Sequence, residues 1–316
     1  MNTKAKGYLL GTIAAASYGM NPLFALPLYE NGLSPDSVLF FRYLFAIPIL
    51  GIMLKARGRD FSIKKSETPQ FIFFGILCAL SSLTLFQSYN YMNAGIASTL
   101  LFVYPIMVAV IMACFFKERL STFTVACILT AMFGISLLYK GTDGATLSFT
   151  GTMLVMGSAL SYAVYIAGIN HTRLKDVPTL KITFYVLLFG LSLFVVRLFT
   201  GDGLQMPDKW YLWGNLVALA LFPTAISFLC TTAAIQHIGS TPTAILGALE
   251  PVTAIFFGIL VFGETLTARD VLGIVLIITA VAAVVAGGSI AHLLVRLRKM
   301  FPRLTHKKDD ATIKKQ

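Results

Sequence analysis

Residues 7–18, GYLLGTIAAASY, are the most informative stretch of the chain, because residues 151–162, GTMLVMGSALSY, repeat them in outline. The glycine that opens each stretch and the pair that closes it, Ser17-Tyr18 and Ser161-Tyr162, recur 144 residues apart. Similarity within one chain at a fixed long spacing indicates a duplicated structural unit. We therefore predict two related halves.

Two further pairs of motifs extend the match at a spacing of 146 residues. Tyr104-Pro105 corresponds to Glu250-Pro251, and Lys117-Glu118-Arg119 corresponds to Gly263-Glu264-Thr265. Each half has room for five apolar segments, and an odd number of spans makes successive copies cross the bilayer in opposite directions. The sequence predicts an all-α membrane protein whose ten transmembrane helices form two inverted five-helix repeats.

The composition agrees with a membrane protein. Apolar residues make up 57% of the chain, the mean hydropathy is +0.79 and 12% of residues are charged, about half of the roughly 25% found in soluble domains. At roughly 20 residues for each spanning helix, ten spans leave no room for a soluble catalytic domain. We place the spans near residues 7–29, 36–54, 70–91, 96–116, 122–139, 149–170, 179–199, 210–234, 242–262 and 267–290.

The basic residues give the predicted orientation. Twenty Lys and Arg residues fall on one predicted face and four on the other, with Arg42 left inside a span. Because Lys and Arg accumulate in cytoplasmic loops, both termini are expected in the cytoplasm. We expect repeats at residues 1–145 and 146–290, followed by a basic cytoplasmic tail at residues 291–316.

The net charge of +11 follows the predicted membrane faces, so it does not indicate nucleic acid as a partner. From His292 to Phe301 the tail mixes apolar and basic positions. This pattern fits either binding to anionic lipids of the inner leaflet or a solvated chain end. All four cysteines lie in apolar runs without CxxC spacing. No disulfide, metal or other cofactor is predicted.

Small residues and prolines shape the predicted helices. Helix 1 carries a small residue at every fourth position from Gly7 to Gly19, which lets another helix approach closely. A proline inside a span removes a backbone donor. We predict kinks at Pro22 and at the paired Pro105 and Pro251, around a cavity between the helices.

Two ionisable residues inside the spans are the main functional candidates, since a charge there costs at least ~2.5–3.5 kcal/mol. Glu250, near the predicted midplane, is interpreted as a cavity residue that binds a proton or a cationic group, with interhelical hydrogen bonding as the alternative. For Arg42 three roles stay open: attraction of anionic substrate groups, extension to the surface, or bonding to carbonyls of a kinked helix. No direct ion pair between the two is predicted.

Neutral polar and aromatic residues complete the predicted cavity lining. Amides are costly when they face lipid, so Asn21 and Gln87 are expected to face inward, for substrate contact or for interhelical hydrogen bonds. For the tyrosines, packing in the core or at the membrane interface is the alternative to substrate contact. The other candidates are Tyr89, Asn90, Tyr104, Tyr162 and Tyr165.

Several motifs, taken in order and spacing, resemble the EamA family of the drug/metabolite transporter superfamily. They are Phe41-Arg42, Tyr104-Pro105 with Lys117-Glu118, and Glu250-Pro251 with Gly263-Glu264. The likeness covers residues 7–140 and 150–287. The first copy has Lys117 where the second has Gly263, which concerns a loop. The resemblance implies a cytoplasmic-membrane transporter that moves small metabolites, commonly outward, through a central cavity lined by helices 1–4 and 6–9.

We therefore predict a secondary transporter that exports an amino acid or a similar zwitterionic or weakly charged solute by alternating access. The alternatives are a passive channel-like facilitator, a non-transporting scaffold, or a nucleotide-sugar or organic-phosphate exchanger of the same superfamily. A single arginine inside the spans is thin provision for multiply charged phosphates. No motif of a membrane-embedded enzyme is present, so no catalytic residue is predicted. We expect a monomer or a weak homodimer.

Overall fold

The computed structural model describes residues 3–88, 90–91, 97, 100–118, 121–138, 148–169, 171–200, 203–262, 268–269 and 271–283. Within these ranges the chain is helical and contains no strand, which confirms the all-α prediction for this part. Lipid favours this outcome, because a helix satisfies its own backbone donors and acceptors where water is absent. Tyr89, the motif Gly263-Glu264 and the tail at residues 291–316 lie outside the described residues.

Seven of the described helices are long and apolar enough to cross a membrane, and three shorter apolar helices lie at the predicted positions of spans 4, 5 and 10. The count of ten spans, their inverted arrangement and the side of the termini remain predictions. The helices are α1 (Thr3–Gly19 and Asn21–Glu30), α2 (Pro35–Ala56), α3 (Thr68–Ser88), α4 (Tyr104–Phe116), α5 (Thr122–Leu138), α6 (Phe149–Ile169), α7 (Thr179–Thr200), α8 (Trp210–Ala220, Leu221–Ile226 and Ser227–Ile238), α9 (Ser240–Leu246 and Leu249–Phe262) and α10 (Val271–Ala283).

Prolines accompany the interruptions of α1, α8 and α9. Pro22 and Pro251 lie in the first turn of the second segments of α1 and α9. Pro223 lies inside the π-helical middle segment of α8. A proline cannot donate to the preceding turn, so the helix must break or widen there. Pro105 differs, since it is the second residue of α4 and begins a described helix instead of dividing one.

Glycines bring α1 close to α8 and α9. A side-chain carbon at Gly7 would clash with His237, and one at Gly19 would clash with the carbonyl oxygen of Glu250. Small residues four positions apart make such close packing in lipid, where dispersion contacts replace the hydrophobic effect. The prediction that this stripe serves packing is confirmed.

Helices of the first half pack mainly against helices of the second half. α1 packs along α8 and α9, and α6 packs along α3 and α4. In the predicted repeat, α1 corresponds to α6, α3 to α8 and α4 to α9, so the two sets of contacts are counterparts. α2 packs against α7, which is its own counterpart. The interior therefore lies where the two halves interlock.

Polar contacts tie the start of α2 to the end of α7 and to the segment that precedes α8. The Arg197 guanidinium lies 2.9 Å from the Asp36 carboxylate. The Ser34 amide donates to the Gln205 side chain at 2.5 Å, and the Gln205 amide donates to the Ser37 hydroxyl at 2.9 Å. Ser34 also caps α2, so the same residue fixes the helix start and its neighbour.

The other end of α2 is tied to α7 as well. The Tyr185 hydroxyl and the Lys181 ammonium of α7 donate to the carbonyls of Phe61 and Ser62. Hydrogen bonds from Ser62 lower the pKa of the exposed Asp60 carboxyl, so this loop keeps its negative charge at neutral pH. Contacts at both ends hold α2 and α7 together along their length.

Candidate functional site

A small polar cavity lies where α1, α4, α6, α8 and α9 meet. Its volume is about 10 Å³, close to the space that one water molecule needs. Small residues of α1 line one side, and polar groups line the others. These polar groups belong to Tyr104, Tyr162, Thr231, Thr243 and Glu250. In this conformation the cavity excludes any solute larger than water.

Glu250 is the ionisable residue of the cavity. Its side chain is buried, with 8% of the residue exposed. Among the described residues, no side chain donates a hydrogen bond to its carboxylate and none forms an ion pair with it. Its backbone is fixed, because the amide donates to the Gly247 carbonyl at 2.9 Å and the carbonyl packs against Gly19. The free-energy cost of a lone buried carboxylate disappears when a proton or a ligand cation neutralises it.

Three predicted tyrosines form a row beside the cavity. The ring centroids of Tyr104 and Tyr162 are 5.1 Å apart, and those of Tyr162 and Tyr165 are 6.2 Å apart. The Tyr104 hydroxyl donates to the Ala244 carbonyl at 3.2 Å, and the Tyr165 hydroxyl pairs with the Thr232 hydroxyl at 3.2 Å. Tyr104 and Tyr162 line the cavity, whereas Tyr165 stands behind them in the core.

Arg42 is fully buried, with 0% of the residue exposed. Its Nε donates to the Thr224 hydroxyl at 2.5 Å, and its Nη2 donates to the Pro223 carbonyl at 3.1 Å. Its Cζ lies 5.6 Å from the centroid of the Tyr18 ring, within cation–π range. Nη1 has no hydrogen-bond partner among the described residues. The guanidinium therefore bonds to a broken helix, one of its predicted roles, and does not extend to the surface.

Pro223 explains why α8 offers these acceptors. Because it lacks an N–H group, it cannot bond to the Leu219 carbonyl one turn earlier, and the Thr224 hydroxyl donates to that carbonyl instead, at 2.8 Å. The helix widens into the π turn at Leu221–Ile226, a geometry that is frequent at functional sites. The Pro223 carbonyl is then free to accept from Arg42.

The predicted amides lie in two different places. Asn21 opens the second segment of α1, and its Oδ1 is buried without a described partner. Gln87 donates to Asp36 at 3.5 Å, and the exposed Asn90 donates to Gln87 at 3.4 Å. Gln87 and Asn90 therefore belong to the polar cluster at the end of α3 and not to the cavity, because they follow the last apolar turn of that helix.

The sequence reasoning missed Tyr18, Thr231 and Thr243. Both threonines stand alone in apolar helices, where a small hydroxyl residue carries no distinguishing pattern. Tyr18 did carry a signal, because it lies 144 residues before Tyr162 in the repeat. Transferring the candidate role of Tyr162 to its counterpart would have found it.

Comparison with known proteins adds to this geometry. The sequence profile of the EamA-like transporter family matches residues 5–140 and 149–286, with one match in each half. A crystal structure of another protein, which is 18% identical, superposes with a TM-score of 0.75 over 93% of this chain and 98% of that one. At this identity the likeness shows a shared fold.

Two curated relatives are similar over most of their length. The uncharacterized inner membrane transporter YicL of Salmonella typhimurium is 26% identical over 287 residues, which is 89% of this chain and 95% of YicL. The threonine/homoserine exporter RhtA of Salmonella typhimurium is 26% identical over 220 residues, which is 68% of this chain and 70% of RhtA. Both relatives carry transport in their names.

Proposed function

The chain belongs to the EamA-like transporter family, and we propose that it is a secondary transporter that exports an amino acid or a similar small zwitterion by alternating access. It is a multi-span transporter of the cell inner membrane and not an enzyme. The solute class, the direction and the mechanism are the substance of the proposal.

One observation carries the proposal: the unpaired carboxylate of Glu250 faces a closed cavity that both halves build. α1 and α4 supply one part of the lining, and α6, α8 and α9 supply the rest. A channel keeps a continuous path open, whereas a carrier exposes a fixed site to one side at a time. A cavity with room for one water supports a carrier over a passive facilitator.

The architecture of the proposal is an inverted duplication. Its repeats are residues 1–145 and 146–290, and the basic tail at residues 291–316 follows. The family match in each half and the reciprocal packing of α1 and α6 support this arrangement. The bias of basic residues supports cytoplasmic termini. A monomer or weak homodimer, with the tail against anionic lipids, completes the proposal.

The proposed solute follows from the charges inside the described spans. These spans bury one cation and one anion, Arg42 and Glu250. One charge of each sign suits a zwitterion, whereas an organic phosphate or a nucleotide sugar needs several cations around it. The similarity to RhtA, which is named for threonine and homoserine export, supports both an amino acid and the outward direction.

We assign proton coupling to Glu250 within this proposal. A carboxyl group near the centre of the membrane can take up a proton in one conformation and release it in the other. Outward movement of the solute is then exchanged for inward movement of a proton. The absence of a described partner for this carboxylate leaves it available for both steps.

Counterflow with the purified full-length chain in proteoliposomes tests the proposed function. Vesicles are loaded with a single unlabelled amino acid, and the uptake of the same labelled amino acid is followed for each of a full panel. We expect saturable accumulation, stimulated by internal solute, for at least one amino acid. Flux that never saturates would identify a channel. No flux of any amino acid would contradict the proposal, and stimulation by sugar phosphates alone would favour the exchanger.

A further inference from the structure

We propose that Arg42 determines the specificity of the transport site by binding the carboxylate of the solute through Nη1. The inference rests on the proposed function and adds a defined contact to it. It starts from an imbalance in hydrogen bonding. A guanidinium carries five N–H donors, and the described residues provide partners for Nε and Nη2 but none for Nη1.

The charge of Arg42 is also uncompensated. No described carboxylate forms an ion pair with this fully buried residue. Asp36, on the same helix, is engaged by Arg197 at 2.9 Å. A buried cation without a counter-ion is expensive, and such residues inside membrane helices mark substrate or ion pathways. An anionic group of a ligand would supply the missing charge and the missing acceptor together.

The guanidinium is already held in place for this role. Thr224 and Pro223 fix Nε and Nη2 on the π turn of α8, and the Tyr18 ring lies 5.6 Å from Cζ. A receptor group that is fixed before the ligand arrives loses less conformational entropy on binding. A guanidinium anchored through two of its nitrogens, with the third unpaired, is therefore preorganised for a carboxylate.

One turn of α1 connects Arg42 with the cavity. The Tyr18 ring contacts the guanidinium, and the next residue, Gly19, packs against the backbone of Glu250. Opposite charges thus lie on two sides of the same turn without neutralising each other. Asn21, three residues after Tyr18, adds a buried oxygen without a described partner. A zwitterion with its carboxylate at Nη1 and its ammonium toward Glu250 satisfies both charges.

The first test needs no mutation. The melting temperature of the purified full-length protein is measured with each amino acid and with the matching amine, which lacks the carboxylate. We expect the amino acid that is exchanged in vesicles to stabilise the protein at concentrations at least about tenfold below its amine, because a charge-assisted pair is lost with the carboxylate. Equal stabilisation by the amine would overturn the inference and leave the proposed function intact.

The second test uses Arg42→Gln and Arg42→Lys. Glutamine removes the cation, so the half-saturation concentration for the amino acid should rise at least about tenfold, while the response to the amine stays unchanged. Lysine keeps the charge without the planar fork and should fall between the two. Arg197→Gln is the matched control, because it removes an arginine outside the site and should keep the wild-type preference.

The outcomes separate the inference from the function on which it rests. If Arg42→Gln folds and keeps the preference for the amino acid over the amine, the inference is wrong. If Arg42→Gln fails to fold, Arg42→Lys and the wild-type comparison with the amine decide. If the wild type exchanges no amino acid at all, the proposed function fails first and the inference falls with it.

Discussion

Tyr104 and Glu250 occupy corresponding positions in the two halves, each directly before a proline, but their surroundings differ. Both side chains line the same cavity. The Tyr104 hydroxyl donates to the Ala244 carbonyl, whereas no described residue pairs with the Glu250 carboxylate. The first half therefore contributes a satisfied hydrogen bond that braces α9, and the second half contributes an open charge.

The difference shows how a duplicated bundle acquires a single functional group. Two carboxylates at these positions would repel each other strongly in an interior of low dielectric constant. A tyrosine in one copy preserves the packing and leaves one acid to bind a proton or a ligand. Departure from symmetry at matched positions is therefore a marker of function in this chain.

The largest effect is expected when the open charge is removed. Glu250→Gln keeps the size of the side chain but cannot bind and release a proton. We expect an imposed pH gradient to have no effect on transport by this variant, to the level of vesicles without protein. Transport is measured in proteoliposomes with and without the gradient, and abundance is measured by size-exclusion chromatography.

Tyr104→Phe is the matched control at the equivalent position. It loses one interhelical hydrogen bond, worth roughly 0.6 kcal/mol between membrane helices, and should keep its response to the pH gradient. If Glu250→Gln responds like the wild type, or if Tyr104→Phe loses the response, the contrast between the two positions is wrong.

A second pair of variants compares α1 with α6. Gly19→Leu places a side chain against the Glu250 backbone, where a carbon atom has no room, whereas Gly157→Leu on α6 meets nothing within 4 Å. We expect Gly19→Leu to be destabilised by about 1–3 kcal/mol or more and Gly157→Leu to be nearly neutral. Thermal unfolding in detergent measures both. Equal melting temperatures would show that α1 does not pack closely on α9.

A third pair compares the two prolines. Pro251→Ala restores a donor where α9 divides, so we expect a straighter helix and exchange that is several-fold slower, with the fold retained. Pro105→Ala should change exchange less, because Pro105 begins α4 and divides no described helix. Counterflow rates at matched protein abundance make the measurement. A larger effect of Pro105→Ala would reverse the assignment of the hinge to α9.

The smallest effect is expected at the contact between α2 and α7. Asp36→Asn breaks the ion pair with Arg197, which is 36% exposed. Partly solvated pairs contribute roughly 0–1 kcal/mol, so the melting temperature should change little and transport should persist. A double-mutant cycle with Arg197→Gln isolates the pair. A coupling energy well above this range would make the contact part of the gate.

Much of the helical layout is predictable from the sequence. The seven long helices lie at predicted spans, because an apolar run of about 20 residues has no alternative to a helix in lipid. Pro22 and Pro251 likewise predict breaks that the structure contains in α1 and α9. These features are local, so the chain near each residue suffices to infer them.

The site depends on contacts between distant residues, which the sequence does not reveal. Three roles for Arg42 remain open until its hydrogen bonds to Thr224 and Pro223, about 180 residues away, are seen. Gln87 shows the opposite limit: polarity predicts that an amide avoids lipid, but not how deep it lies. Only the three-dimensional contacts separate the cavity from the end of the bundle.

Alternating access of the central cavity is the claim on which the other proposals depend. A single cysteine at Thr243, which lines the cavity, is introduced by Thr243→Cys after the four native cysteines are replaced. Membrane-impermeant thiol reagents are then applied to intact cells and to inverted vesicles. We expect labelling from both sides, with slower labelling when an exchanged amino acid is present. Labelling from one side alone, or from neither, would contradict the account.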